Sequence, residues 1–297
     1  MSVWIHDLTF EEVAAHLERH REVLVPIGST EVHGPHLPLG TDGYQAIDYA
    51  EAIAERAGLL VAPPIWYGDA AHHMHKPGTI SLRPETVIAL LKDVYRSLAE
   101  HGFRAIVTFN GHRLANLPVI GIASREVKRE FPHVAFASID PLSMSATHRE
   151  LREHGGRGLH GDEFETSHML LRHPELVHMD RAVFSHGYVF ETRFLTQDLI
   201  AGGDAMQYYL DAEEQGALAP LGHIGDPERA TAGRGEALFD AVVANGVEFV
   251  TDLRRWVEDG RRVAGAIGDE GRALMERELA WRARGSSTVG LRTPGPG

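Results

Sequence analysis

Short apolar runs alternate with amphipathic stretches through the first two-thirds of the chain. Val23 to Gly28 (VLVPIG) and Ala105 to Phe109 (AIVTF) are continuous apolar runs and predict buried strands; Leu59 to Pro63 and Val134 to Ile139 predict two more. Between them lie helical patterns. Tyr44 to Ala57 predicts one helix. Pro84 to His101 predicts another, since Val87, Leu91, Val94 and Leu98 share a helical face and Pro84 suits a first turn. Leu117 to Phe131, with Asn116 as cap, and Glu163 to His173 predict two further helices. Fully apolar strands separated by helices predict an α/β fold, a three-layer α/β/α sandwich around a mostly parallel sheet.

The pattern weakens between residues 185 and 225, where Gly202-Gly203, Pro220 and Gly222 predict an excursion over one end of the sheet. Ala237 to Val257 predicts a long closing helix. The last residues, GSSTVGLRTPGPG, are small, polar and rich in proline and glycine, so 285–297 is expected to be a flexible tail and 1–284 a single catalytic domain.

Composition changes this picture in three ways. The chain has 297 residues and a formal charge of −13, which disfavours nucleic acid and anionic membrane as partners. Cysteine is absent while histidine numbers 19, so any metal site is built from imidazole and carboxylate. The opening MSVWIHDLTFEEV lacks the basic start and apolar stretch of a signal peptide, which makes a cytoplasmic location the expectation.

The chemistry-bearing residues cluster where strands end. Gly28 to Asp42 (GSTEVHGPHLPLGTD) follows the first strand and carries Glu31, His33, His36 and Asp42. In open α/β folds sites form at that carboxyl edge. Glu31 and His33 are two apart, so on extended chain they share a face. Asp42 can bridge two ions, or cap the helix that follows. Asn110-Gly111-His112 repeats the arrangement after AIVTF; it also reads as a turn. His160 to Ser167 (HGDEFETS) opens a helix, with Asp162 in the place of a cap. His72, His73 and His75 precede the Pro77-Gly78 turn and suit metal, substrate or a solvated loop equally.

Together these segments resemble the creatininase family. GSTEVHGPHLPLGTD, NGH followed by Asn116, HGDEFETS, the PGTIS stretch at 77–81 and HIGDPERAT at 223–231 are each similar to segments of that family, over about Leu24 to Val257. The resemblance implies a dinuclear centre with two divalent ions per chain, zinc and/or manganese. Glu31 and His112 would bind one ion, His33 and Glu165 the other, and Asp42 both. It implies His160 as the catalytic histidine, and a homo-oligomer, often a hexamer. Two positions depart from creatinine hydrolases: Leu114 stands where they carry Glu, and Gly156 where they carry a substrate-contacting Trp. Creatinine is therefore not the expected substrate.

The expected activity is hydrolysis of a C–N bond in a small amide, cyclic or formyl amides included. Two metals can activate water and polarise the carbonyl, and a histidine can protonate the leaving nitrogen. Loops 66–76 and 185–225 are expected to contact substrate, with Trp66, Tyr67, His73 and His75 as candidates. A peptidase or deformylase acting on a biosynthetic intermediate, and a non-catalytic metal- or ligand-binding relative, are the alternatives. A serine hydrolase would need a G-x-S-x-G elbow, and a P-loop enzyme a Walker motif; the chain has neither.

Overall fold

The computed structural model describes residues 2–144, 160–185 and 210–258. Met1–Arg254 pack as one compact unit, and a second unit begins at Arg255. The expected tail, the boundary at 285, Gly156 and most of the 185–225 excursion lie outside the described residues.

Four parallel strands form the sheet: β1 (Glu22–Ile27), β2 (Leu60–Val61), β3 (Ala105–Asn110) and β4 (Ala135–Ile139), in the order β2-β1-β3-β4. β1 and β3 are central and buried at every position, which is why each reads as an unbroken apolar run. The helices between them are α2 (Thr41–Ala57), α3 (Pro84–Glu100) and α4 (Arg113–Glu130); α1 (Phe10–Leu17) precedes β1. Later elements include α5 (Pro141–Met144), α6 (Glu163–Arg172), α7 (Ala212–Leu218) and α8 (Ala232–Glu258).

The alternation of side chains along each strand divides the core in two. Val23, Val25, Ile27 and Ile106 pack with Leu91 and Tyr95 of α3 and Val119, Ala123 and Val127 of α4. Leu24, Val107 and Phe109 face the other way, toward Tyr49 and Ile53 of α2 and Phe239, Val242 and Val243 of α8. The expected three-layer sandwich is thus present. Glu22, buried at the start of β1, accepts from Arg254 Nε at 3.1 Å, and Arg254 Nη2 donates to the Ala57 carbonyl, tying α8 to β1 and the end of α2.

Two helix starts differ from expectation. α2 begins at Thr41 with Gly40 as its cap, so Asp42 sits inside the first turn and does not cap it. α4 begins at Arg113, which puts Asn116 within the helix. Its amide nitrogen donates to the Gly28 carbonyl at 3.0 Å and its oxygen accepts from Asp69 N at 3.2 Å. That side chain joins two loops to α4, a tertiary task that capping statistics cannot reveal.

The order of strands also locates the site. From β1 the chain passes through α2 to β2 on one side; from β3 it passes through α4 to β4 on the other. The connections therefore diverge between β1 and β3. A crevice opens outside the carboxyl ends of adjacent strands at such a switch point.

Candidate metal centre

The first turn of α2 is pressed against the ends of both central strands. A Cβ on Gly28, just after β1, would lie 2.4 Å from Gly43 N; one on Gly111, just after β3, would lie 2.1 Å from the Asp42 carbonyl oxygen. Glycine is needed at both positions for this approach. The consequence is that Asp42 emerges between Glu31 and His33 on one side and His112 on the other.

Three histidines are oriented by the same device. His33 Nδ1–H donates to the Glu31 carbonyl at 3.1 Å, leaving Nε2 3.0 Å from Asp42 Oδ1 and 3.7 Å from Glu165 Oε2. His112 Nε2–H donates to the Asp69 carbonyl at 2.8 Å, leaving Nδ1 3.1 Å from Asp42 Oδ2 and 3.2 Å from Glu31 Oε1. His160 Nε2–H donates to the Val32 carbonyl at 2.6 Å, leaving Nδ1 3.8 Å from Glu31 Oε1. A carbonyl only accepts, so in each ring the outer nitrogen carries hydrogen and the inner one faces the carboxylates. Metal-ligating histidines are usually held this way.

Electrostatics reinforces the arrangement. Burial opposes charge on Glu31, yet His112 and His73 outweigh it and hold its carboxyl well below the usual range. Burial likewise opposes a proton on His33, but Asp42 and Glu165 raise its pKa to about 10. His112 is raised well above the ordinary imidazole value by Glu31 and Asp42, against the effect of burial. Glu165 is pushed up to about 8 by burial, with Asp42 and Asp162 adding to the shift and His33 opposing it. His160 is held well below the usual value by burial and by the charge on His33, so it is neutral at neutral pH. Protons on His33 and His112 thus supply the positive charge that the buried carboxylates demand.

The donor set fits metal ions. Both oxygens of Glu31 and Oδ2 of Asp42 are buried without a hydrogen bond, an arrangement costly for a carboxylate unless a cation stands beside it. Three sets of side chains place one donor atom each within 4.8 Å of the others: Glu31, Asp42 and His112; His33, His160 and Glu165; and Glu31, His73 and His160.

The remaining candidates are placed as follows. His73, 3% exposed, brings Nε2 to 3.4 Å from Glu31 Oε1. His75 packs against Gly216 of α7. Trp66 lies over the first turn of α2, where a Cβ on Gly43 would meet its ring at 2.5 Å, and stacks edge-on to Tyr44; it shapes the backing of Asp42. Tyr67 is 45% exposed. Asp162 does cap α6, accepting from Phe164 N and Glu165 N. Glu163 accepts from Arg234 at 2.9 Å.

Sequence reasoning assigned no role to several supports. Asp69 acts through its carbonyl and could not be found from its side chain. His36 and His223 are fully buried. His36 Nε2 bonds Thr166 Oγ1 at 2.9 Å, and His223 Nε2–H donates to the Val183 carbonyl at 2.8 Å. A Cβ on Gly161 would meet His223 Cβ at 2.8 Å and the His33 carbonyl oxygen at 3.0 Å, so His223 wedges the strand-end loop against the start of α6. The HIGDP segment was the available signal.

Comparison with known proteins decides the family. The creatininase profile, described as creatinine amidohydrolase, matches residues 6–250. The chain belongs to the creatininase family. As a member it is a hydrolase, an amidohydrolase by family. It is 34% identical to the creatinine amidohydrolase of Pseudomonas putida over 61% of this chain and 76% of that one. It is 33% identical to a mycofactocin precursor peptide peptidase of Mycobacterium ulcerans over 79% and 85%. A 3-dehydro-scyllo-inosose hydrolase of Thermotoga maritima is 32% identical, with 61% of this chain matching 60% of that relative's length. Among solved structures, a creatinine amidohydrolase superposes with a TM-score of 0.71 at 26% identity, covering 85% of this chain and 98% of that one. A creatininase described as the Mn form does so at 0.71 and 25%, covering 86% and 99%.

Proposed function

We propose that this creatininase-family chain holds two divalent ions, zinc and/or manganese, and hydrolyses the C–N bond of a small amide, cyclic and formyl amides included. The observation that carries this reading is the division of Asp42: one oxygen faces His33 at 3.0 Å, the other His112 at 3.1 Å. A carboxylate so divided suits two neighbouring ions, one with Glu31 and His112, the other with His33 and Glu165. Bound there, divalent ions supply Lewis acidity that activates water and polarises an amide carbonyl.

The protein's own groups do the rest. The carbonyls of Glu31 and Asp69 keep His33 and His112 turned inward. His160, with hydrogen on Nε2 and a lone pair on Nδ1, takes up a proton at Nδ1 and hands it to the leaving nitrogen. Glu31, buried and fixed by its own N–H to the Leu39 carbonyl at 2.8 Å, sets the negative wall against which that proton moves. Assembly as a homo-oligomer, a hexamer by family, belongs to the same reading; light scattering that finds a monomer at micromolar concentration would remove that part alone.

A second reading is favoured by the extent of one match. The alignment with the Mycobacterium ulcerans peptide peptidase covers 79% of this chain, against 61% for the creatinine amidohydrolase. The amide cleaved would then be a peptide bond, or a formamide in a deformylase variant, with the same groups acting. Elemental analysis of gently purified protein, followed by activity on lactams, formamides and short peptides, tests both. Absence of bound metal, with no activation by added zinc or manganese, would refute the two-ion reading.

A further inference from the structure

The two proposed ions account for Glu31–Asp42–His112 and His33–Asp42–Glu165, but not for His73. We propose that Glu31, His73 and His160 form a third, weaker metal position that fills when divalent ion is in excess and silences the site. The proposal rests on the two-ion reading above.

His73 Nε2 lies 3.4 Å and His160 Nδ1 3.8 Å from the same oxygen, Glu31 Oε1. The three donor atoms all fall within 4.8 Å of one another. Two imidazoles and a carboxylate are a donor set that zinc accepts, with a fourth place left for water. The hydrogen bond from His160 Nε2 to Val32 leaves Nδ1 as a lone pair, able to receive a proton or a metal, never both. An ion here therefore takes the atom that His160 uses for proton transfer.

The weakness of the position follows from its outer contacts. His33, His112 and His160 each have the outer nitrogen fixed by a backbone carbonyl. His73 Nδ1 is buried without a hydrogen bond, and the ring is held between His72, tilted against it at 4.1 Å, and His160, stacked on it at 4.3 Å. A ligand histidine lacking its outer partner typically loses ~10–100-fold in metal affinity. Glu31 Oε1 is also the oxygen nearest His112, so the third ion competes for an atom that the first already uses.

Metal-free full-length protein is dialysed against rising free zinc, bound zinc is counted by elemental analysis, and hydrolysis is followed on the same samples. Wild type should take up two ions tightly and a third at higher zinc, with activity falling as the third enters. His73→Ala should bind the first two and weaken the third by ~10-fold or more. His73→Phe keeps the stack between His72 and His160 and should behave alike, which guards against misfolding of the smaller variant. Saturation of wild type at two ions overturns the proposal, as does a third ion retained in both variants. A wild type that binds no zinc overturns the two-ion reading itself, a distinguishable result.

Discussion

The two oxygens of Asp42 each serve a different histidine. Asp42→Ala should therefore abolish both ions, whereas Glu165→Gln should lose one; metal counted per chain separates the outcomes. Glu165 adds a sharper test. Its pKa of about 8 leaves the metal-free carboxyl largely protonated at pH 7, and glutamine mimics that form. Metal-free Glu165→Gln should melt within about 0.5 kcal/mol of wild type, the range of a neutral substitution, while its metal capacity drops. A matching fall in metal-free stability would mean that Glu165 is ionised there. Gly111→Ala tests the seating of Asp42. Its Cβ would press within 2.1 Å of the Asp42 carbonyl oxygen, so the first turn of α2 must shift and metal affinity should fall although no ligand has changed.

Between elements, the decisive joint is that of α2 with α6, the two helices that carry Asp42 and Glu165. Asp48, 4% exposed on α2, accepts from His168 Nε2 and His173 Nε2, each at 2.9 Å, with Arg172 Nε 3.7 Å from its other oxygen. Burial pushes the Asp48 carboxyl up, but the imidazoles prevail and keep it below its ordinary value. Removing one partner of such a buried group leaves the others uncompensated. Asp48→Ala should cost about 3 kcal/mol in thermal or denaturant unfolding. It should also weaken the ion at His33 and Glu165 more than the one at Glu31 and His112, because only the former spans the loosened joint. Equal weakening of both ions in a calorimetric titration would show that Asp48 serves stability alone.

For the whole molecule, metal and protons compete for one cavity. Without ions, His33 with a pKa of about 10 and the strongly raised His112 hold protons at pH 7, as Glu165 largely does. Loading must expel those protons, so affinity should rise with pH across the neutral range and fall as acid restores them. Calorimetry in buffers of differing ionisation enthalpy measures the release directly; uptake without release would contradict the assignment of these groups as ligands. Ions that bind the folded chain also stabilise it, by ~4 kcal/mol at a thousandfold excess over Kd, so chelation should lower the melting temperature by several degrees. Among the described residues no helix is long and apolar enough to cross a membrane.

The sequence by itself determined the layers and the edge at which chemistry gathers. β1 and β3 are buried on both faces, so they must be apolar throughout, and α3 is covered on one face, so its apolar positions recur at helical spacing. These are local patterns that short-range physics writes into the chain. The segments carrying Glu31, Asp42, His112, His160 and Glu165 were legible for the same reason, each opening at the end of a strand or the start of a helix. What tertiary structure alone decided was direction and partnership. Nothing near Asp42 in sequence shows that its carboxylate would turn toward two histidines instead of capping α2. Asn116 reads as a cap until Gly28 and Asp69 arrive beside it, 88 and 47 residues away. That Trp66 lies over the first turn of α2 depends on Gly43, 23 residues away, leaving room for its ring. Which nitrogen of His33, His112 and His160 faces inward depends on carbonyls of Glu31, Asp69 and Val32, and a carbonyl carries no signature in the sequence. A residue's type and spacing fix what it can do; the backbone brought to it from elsewhere in the chain fixes what it does.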